Sequence, residues 1–156
     1  MASRGQAVQK IGYRGYTTHR EFAGNRIPVP VQNLMIRDYA ARNSLQFKLG
    51  VDEFNFPGCY LRLMILLEEL PMLEGIIASS LFVLPEETDQ RLMVYDEILK
   101  NGARLHLIME NMVIDGAESI VRAEDIIQVN RALAICPKDI PRDLIQSLRT
   151  VDSFTH

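Results

Sequence analysis

GIIASSLFVL, residues 75–84, carries no charge, and its only polar members are two serines. A strand with one wet face alternates apolar and polar side chains. This run does not, so it reads as a strand buried on both faces, as in a parallel sheet. Pro85, Glu86 and Glu87 follow. A proline and acidic side chains suit the first turn of a helix, where a missing N–H costs nothing and the helix dipole favours negative charge. That helix is predicted to run to about Asn101 and to stop at Gly102, a residue suited to a left-handed cap.

The rest of the chain repeats the same strand-to-helix step. Upstream, Ile11–Thr17 reads as a first strand. Pro28 and Pro30 then lead into a helix over Val31–Asn43, with Val31, Leu34, Met35 and Tyr39 at helical spacing. Leu45–Val51 is the second strand, apolar at alternate positions. It is followed by the turn-rich FNFPGC and an apolar helix over Tyr60–Leu70. Downstream, Arg104–Ile114 reads as a fourth strand, and a fourth helix runs from Ala117 to about Ala134. A C-terminal tail begins near residue 135, holds Pro137 and Pro141, and has a short helical stretch near Arg142–Arg149. Four alternations predict a single α/β domain over residues 1–156. It is a three-layer sandwich with a mostly parallel four-stranded sheet, an order that flavodoxin-like folds share. At 156 residues the chain is long enough to bury a core of that kind.

Composition narrows the class. The chain is 47% hydrophobic and 24% charged, with a net charge of -3, which argues against a general nucleic-acid binder. The charge is uneven: residues 1–42 hold seven Arg or Lys against two acids, and the remainder ten against eighteen. A basic segment on an acidic body fits a local anion site. Two cysteines far apart make neither a disulfide framework nor a zinc site. No segment reaches membrane-spanning length, and MASRGQAVQK lacks the apolar core of a signal peptide, so a cytoplasmic protein without membrane contact is expected.

In open α/β sheets ligands bind beyond the carboxyl ends of the strands. The predicted ends are Thr17–Arg20, Asp52–Asn55, Phe82–Pro85 and Glu110–Asn111. The basic segment falls on the first of these. Arg14, Arg20 and Arg26 suit a phosphate, pyrophosphate or carboxylate, because a guanidinium offers two parallel donors; the plainer reading is three solvated charges. Thr17 and Thr18 add hydroxyls, although threonine is natural at a strand end. Glu53 and Glu110 suit a general base if buried, and Asn55 and Asn111 suit a sugar hydroxyl; turns and helix caps use the same residue types. His19, beside the arginines, is the second acid–base candidate, with Glu110 the first. His106 and the serines 79 and 80 read as structural. With no GxGxxG, GxxxxGK[ST] or HExxH, nothing calls for a cofactor or a metal.

IGYRGYTT (11–18), Gln32, Asp52-Glu53, LLEELPMLEGIIASSLFVLP (66–85) and LKNGARLHLIMEN (99–111) together resemble the catalytic domain of serine recombinases in the order of their elements. The resemblance implies a resolvase-like fold, with an arginine and a nucleophilic serine on the first strand and more arginines after the third core strand. Here Thr17 stands near the serine's place, Arg14 is displaced from the arginine's, and Leu81–Leu84 fill the arginine-bearing segment. No basic helix-turn-helix is present to dock DNA.

FAGNRIPVPVQNLMIRDYAARNSLQFKLGVDEFNFPGCY (22–60), with GIIASSLFVLP and ENMVI, is similar to the sporadic carbohydrate cluster proteins. That family is encoded among bacterial surface-polysaccharide and sugar-nucleotide genes. The resemblance implies a carbohydrate pathway and leaves the reaction open. The expected function is therefore to bind or act on a phosphorylated or nucleotide-linked sugar. As an enzyme it would work by cofactor-independent proton transfer or isomerisation. The alternative is a non-catalytic oligomeric interaction or regulatory module on a degenerate recombinase-like fold. Apolar helices lead us to expect a homo-oligomer in either case.

Overall fold

The strands β1 (Tyr13–Thr17), β2 (Phe47–Asp52), β3 (Gly75–Ala78), β4 (Arg104–Leu107) and β5 (Met112–Ile114) form one sheet in the order β2-β1-β3-β4-β5. The structure is a computed structural model that describes residues 8–136 together with Arg142, Asp143 and Gln146. The first four strands run parallel, and β5 returns antiparallel to β4. Between them lie α1 (Val29–Arg42), α2 (Leu61–Glu68) and α3 (Thr88–Lys100), and α4 (Ala117–Ile135) follows β5. This is the expected mostly parallel α/β class, with one strand more than the sequence suggested.

Alternation along β1 assigns its two faces. Tyr13 joins Ile36, Ala40 and Ile77 in a buried cluster beneath α1, with Tyr39, Leu45 and Phe47 packed around it. Tyr16, on the other face, is fully buried and reaches toward the start of α2. α1 packs on β1, β2 and β3, while α2 packs on β2 and α3, and α3 on β4. Gly75 is required where β3 begins, because a Cβ there would stand 1.9 Å from the Arg104 carbonyl oxygen. Gly102, at φ 60°, ends α3 as its position predicts.

Two corrections to the sequence reading matter for function. The third strand stops at Ala78 rather than Leu84, and Leu81–Val83 form a 3-10 turn. Ser80 ends the ladder by accepting the Phe82 N–H on its hydroxyl. The stretch Arg104–Ile114 is a β-hairpin, not one strand. Its turn is closed by the Asn111 N–H on the Ile108 carbonyl (3.0 Å), with Asn111 left-handed at φ 47°. Glu110 and Asn111 therefore occupy a hairpin turn instead of a parallel strand end.

The chain divides into two compact units, residues 1–125 and 126–156. The sheet and α1–α3 belong to the first. In the second, the end of α4 exposes Val129, Leu133 and Ile135. The predicted helical stretch near 142–149 lies, single residues apart, outside the described residues, as does the tail beyond residue 136. Among the described residues no helix is long and apolar enough to cross a membrane.

Candidate functional site

The crossover direction of this sheet reverses between β1 and β3, which leaves a crevice beyond their carboxyl ends. A cavity of about 630 Å³ lies there, among the loops that follow β1, β2 and β3. That volume falls in the range of small-molecule sites. The loop after β1 contributes Arg20, Glu21 and Arg26; the loop after β2 contributes Asn55, Pro57, Gly58 and Tyr60; the start of α3 contributes Glu86, Glu87 and Gln90.

Local chain geometry explains why the two arginines meet. Phe22 and Asn25 exchange both backbone hydrogen bonds at 2.9 Å around Ala23 and Gly24, whose φ angles are 49° and 72°. This tight two-residue turn folds the segment back, so residues 20–21 and 26 face one space. Arg20 lies 4.0 Å over the Tyr60 ring, and its Nε donates to Thr18 Oγ1 at 3.1 Å. Both contacts hold the guanidinium in place while leaving its terminal nitrogens without a partner among the described residues. Arg26 is anchored more lightly, through Nε to the His19 carbonyl at 3.3 Å.

Below the cavity the strand ends carry a polar layer in which the bonding groups are used. Gln32, fully buried, donates to the Thr18 and Ile27 carbonyls and accepts from Thr18 N and Ser79 Oγ. Both of its donors and both lone pairs of its oxygen are satisfied. Glu53 accepts from Tyr16 Oη, from its neighbour Phe54 N, and from Arg62 N and Leu63 N in the first turn of α2. A carboxylate at that helix end satisfies orphan donors and meets the positive end of the dipole. Burial pushes the Tyr16 phenol well above its usual pKa and the Glu53 charge adds to this, so Tyr16 stays a donor.

The remaining candidates stand apart from the cavity. Thr17 is fully buried and donates its hydroxyl to Asp52. Arg14, further back on β1, gives Nη1 to Glu69 and Nε to the Leu49 carbonyl, each at 2.6 Å. Glu110 accepts from Ser80 Oγ at 2.7 Å and Leu81 N at 2.9 Å, which fastens the hairpin turn to the end of β3. Asn111 is exposed in that turn, and His19 is exposed on the first loop. Of the residues expected from sequence, the cavity gathers Arg20, Arg26 and Asn55. Tyr60 and Glu87 were missed, because the one was read as a helix start and the other as a first-turn acid. Among the described residues no three His, Cys, Asp or Glu side chains are grouped to hold a metal ion.

No family model matches the chain, and no curated protein matches it. Solved structures do. The N-terminal catalytic domain of TP901-1 integrase superimposes with a TM-score of 0.58 at 15% identity, over 78% of this chain and 95% of that one. A resolvase family site-specific recombinase from Streptococcus pneumoniae gives 0.54 at 10% identity, over 90% and 97%. The fold is resolvase-like. At such identity the likeness extends to the fold and no further. Within this resolvase-like fold Thr17 has its hydroxyl bound to Asp52, and the segment after β3 is the apolar turn Leu81–Val83.

Proposed function

We propose that this protein is a cytoplasmic small-molecule binding module on a resolvase-like fold, taking a phosphorylated or nucleotide-linked sugar in the cavity beyond β1, β2 and β3. The observation that carries this reading is the pair Arg20 and Arg26, anchored through Nε with their outer nitrogens without a partner among the described residues, in a space also lined by Asn55 and Tyr60. Two guanidiniums offer charge-assisted donors to a phosphate, and an amide offers hydrogen bonds to a hydroxyl. The sugar itself rests on the sequence resemblance across residues 22–60; the comparisons supply the fold and nothing of the ligand.

Binding is favoured over isomerisation and over DNA cleavage. The acid–base candidates Glu110 and His19 do not line the cavity, and Glu110 is engaged by Ser80 and Leu81. Strand cleavage needs cations grouped on the scissile phosphate beside a free nucleophile. Here Thr17 is buried, and Arg14 is paired with Glu69.

Calorimetric titration of the full chain with hexose phosphates and uridine-diphosphate sugars tests the proposal. Arg20→Ala and Arg26→Ala are each expected to weaken binding by roughly tenfold or more, from the loss of charge-assisted hydrogen bonds, with the melting temperature lowered by no more than about a few degrees. Absence of binding by every phosphosugar in the panel overturns it.

One observation favours a second reading alongside the first. Val121, Val129, Leu133 and Ile135 are 59–86% exposed along α4, more apolar surface than one helix needs to show to water. Association of chains through α4 would cover it. Light scattering on Val129→Ser and Leu133→Ser tests this: the variants are expected to shift a dimer or higher species toward monomer, and a wild-type monomer at all concentrations sinks the idea.

A further inference from the structure

β2 is an edge of the sheet, with β1 on one side and, among the described residues, no strand on the other. Its bonds to β1 show which backbone groups remain over. Glu53 gives its N–H to the Thr17 carbonyl at 2.9 Å, and the Val51 carbonyl turns the same way, toward the Thr17 hydroxyl. Backbone groups alternate sides along a strand, so those of Gly50 and Asp52 point outward, away from β1. Such a row is what an edge offers to another strand. The groove beside it holds about 420 Å³ between α1 and β2. Leu34 on its helix wall and Leu49 on its strand wall are 68% and 72% exposed. Single exposed leucines are ordinary, but a pair on the two walls of one groove, along an unpaired strand, marks a surface for another chain. The same groove carries one charge of each sign. Among the described residues Arg37 has only the Phe47 ring, 6.0 Å away, and Asp52 uses one carboxylate oxygen, for the Thr17 hydroxyl.

We infer that the partner is a second copy of this chain, joined by antiparallel pairing of β2 with β2 about a two-fold axis at Val51. The outward groups set that register. Facing residues of an antiparallel pair can exchange both backbone bonds, and Gly50 and Asp52 lie one step either side of Val51. Gly50 of each copy meets Asp52 of the other, and the contact is made twice. Gly50 brings no side chain to crowd the approaching backbone. The axis is perpendicular to the sheet, so α1 of both copies lies on one face. Leu34 and Leu49 are then covered together, and Arg37 of each copy turns to the half-used Asp52 of the other. A surface that holds apolar side chains with one cation and one anion is complementary to itself, as a two-fold contact requires. The pairing joins two five-stranded sheets into one and needs neither a ligand nor the exposed face of α4.

The test combines light scattering with amide hydrogen exchange on the full chain. The double variant Val129→Ser/Leu133→Ser, in which association through α4 is removed, is expected to remain a dimer. In that dimer the Gly50 and Asp52 amides are expected to exchange roughly tenfold or more slowly than in dilute, monomeric protein. Leu49→Lys and Arg37→Glu, each made in the same background, are expected to halve the mass and abolish that protection. Both positions are exposed, so the variants should fold, and melting temperatures of the diluted proteins check that they do. A monomer in the Val129→Ser/Leu133→Ser background at every concentration overturns pairing through β2 while leaving α4 association standing. A dimer indifferent to either substitution in the groove, or one whose Gly50 and Asp52 amides exchange as fast as in the monomer, overturns it as well.

Discussion

Arg91 and Arg20 are two arginines of one small fold, and they are used in opposite ways. Arg91 is buried to 1% exposure, and all of its nitrogens are engaged. Its Nε and Nη2 each hold one oxygen of Glu124 at 2.6 Å, and Nη1 holds the Pro85 and Glu86 carbonyls at 2.9 Å. Tyr95 completes the knot by donating to Glu124 at 3.1 Å. Glu124 keeps the Arg91 guanidinium charged in spite of its burial. Among the described residues the Arg20 guanidinium bonds through Nε alone, and the residue lines the cavity. Saturation of bonding capacity, more than residue type, separates a side chain that holds the fold from one that is available to a ligand.

The largest effect expected from this contrast is on stability. Arg91→Ala removes the cation from beside the Glu124 carboxylate and the donor from two carbonyls, and should cost about 3–5 kcal/mol in urea unfolding. Arg20→Ala should cost under about 1 kcal/mol in the same assay, because it removes one hydrogen bond to a hydroxyl and a ring contact, both near the surface. Equal losses would erase the distinction. Gln32→Leu comes next: it leaves the polar layer under the cavity without its hub, at about 2–3 kcal/mol for buried groups left unpaired.

A third prediction concerns pH. His106 is buried against Tyr13 and Tyr39, accepts or donates one bond between Nδ1 and the Tyr39 hydroxyl, and has no partner at Nε2 among the described residues. Burial lowers its pKa first, and the Arg104 charge adds to that. The unfolded chain then binds the proton more readily than the folded one, so stability rises with pH. The contribution is complete above the unfolded value of about 6.5 and is lost as pH falls below it through the folded value. Unfolding midpoints measured between pH 7 and 5 should fall for the wild type and flatten for His106→Phe. The smallest expected effect is at Ala23. Glycine there relieves a left-handed alanine and should stabilise by about 1 kcal/mol or less, without altering ligand affinity.

The α/β class was legible because GIIA carries no polar alternation and because caps such as Gly102 punctuate the helices. The hairpin was not. LHLIMENMVI is nearly continuous in its apolar content, and its only mark of a turn is Asn111. Nor does sequence show that Ser80 spends its hydroxyl closing the end of β3. At the site, Arg20, Arg26 and Asn55 were readable because they cluster after strands. Arg91 was not singled out, since in TDQRLMVYDEILK it looks like any helix charge and its partner lies 33 residues away. Glu53 posed the reverse problem: its place at a strand end suggested ligand chemistry, while its oxygens are occupied by the start of α2.

The Arg91 knot also has a mechanical meaning. One guanidinium grips the backbone just ahead of Glu87 and, through Glu124, the first half of α4. A wall of the cavity and the root of that helix hang from the same pin, so a displacement of either is a load on the other.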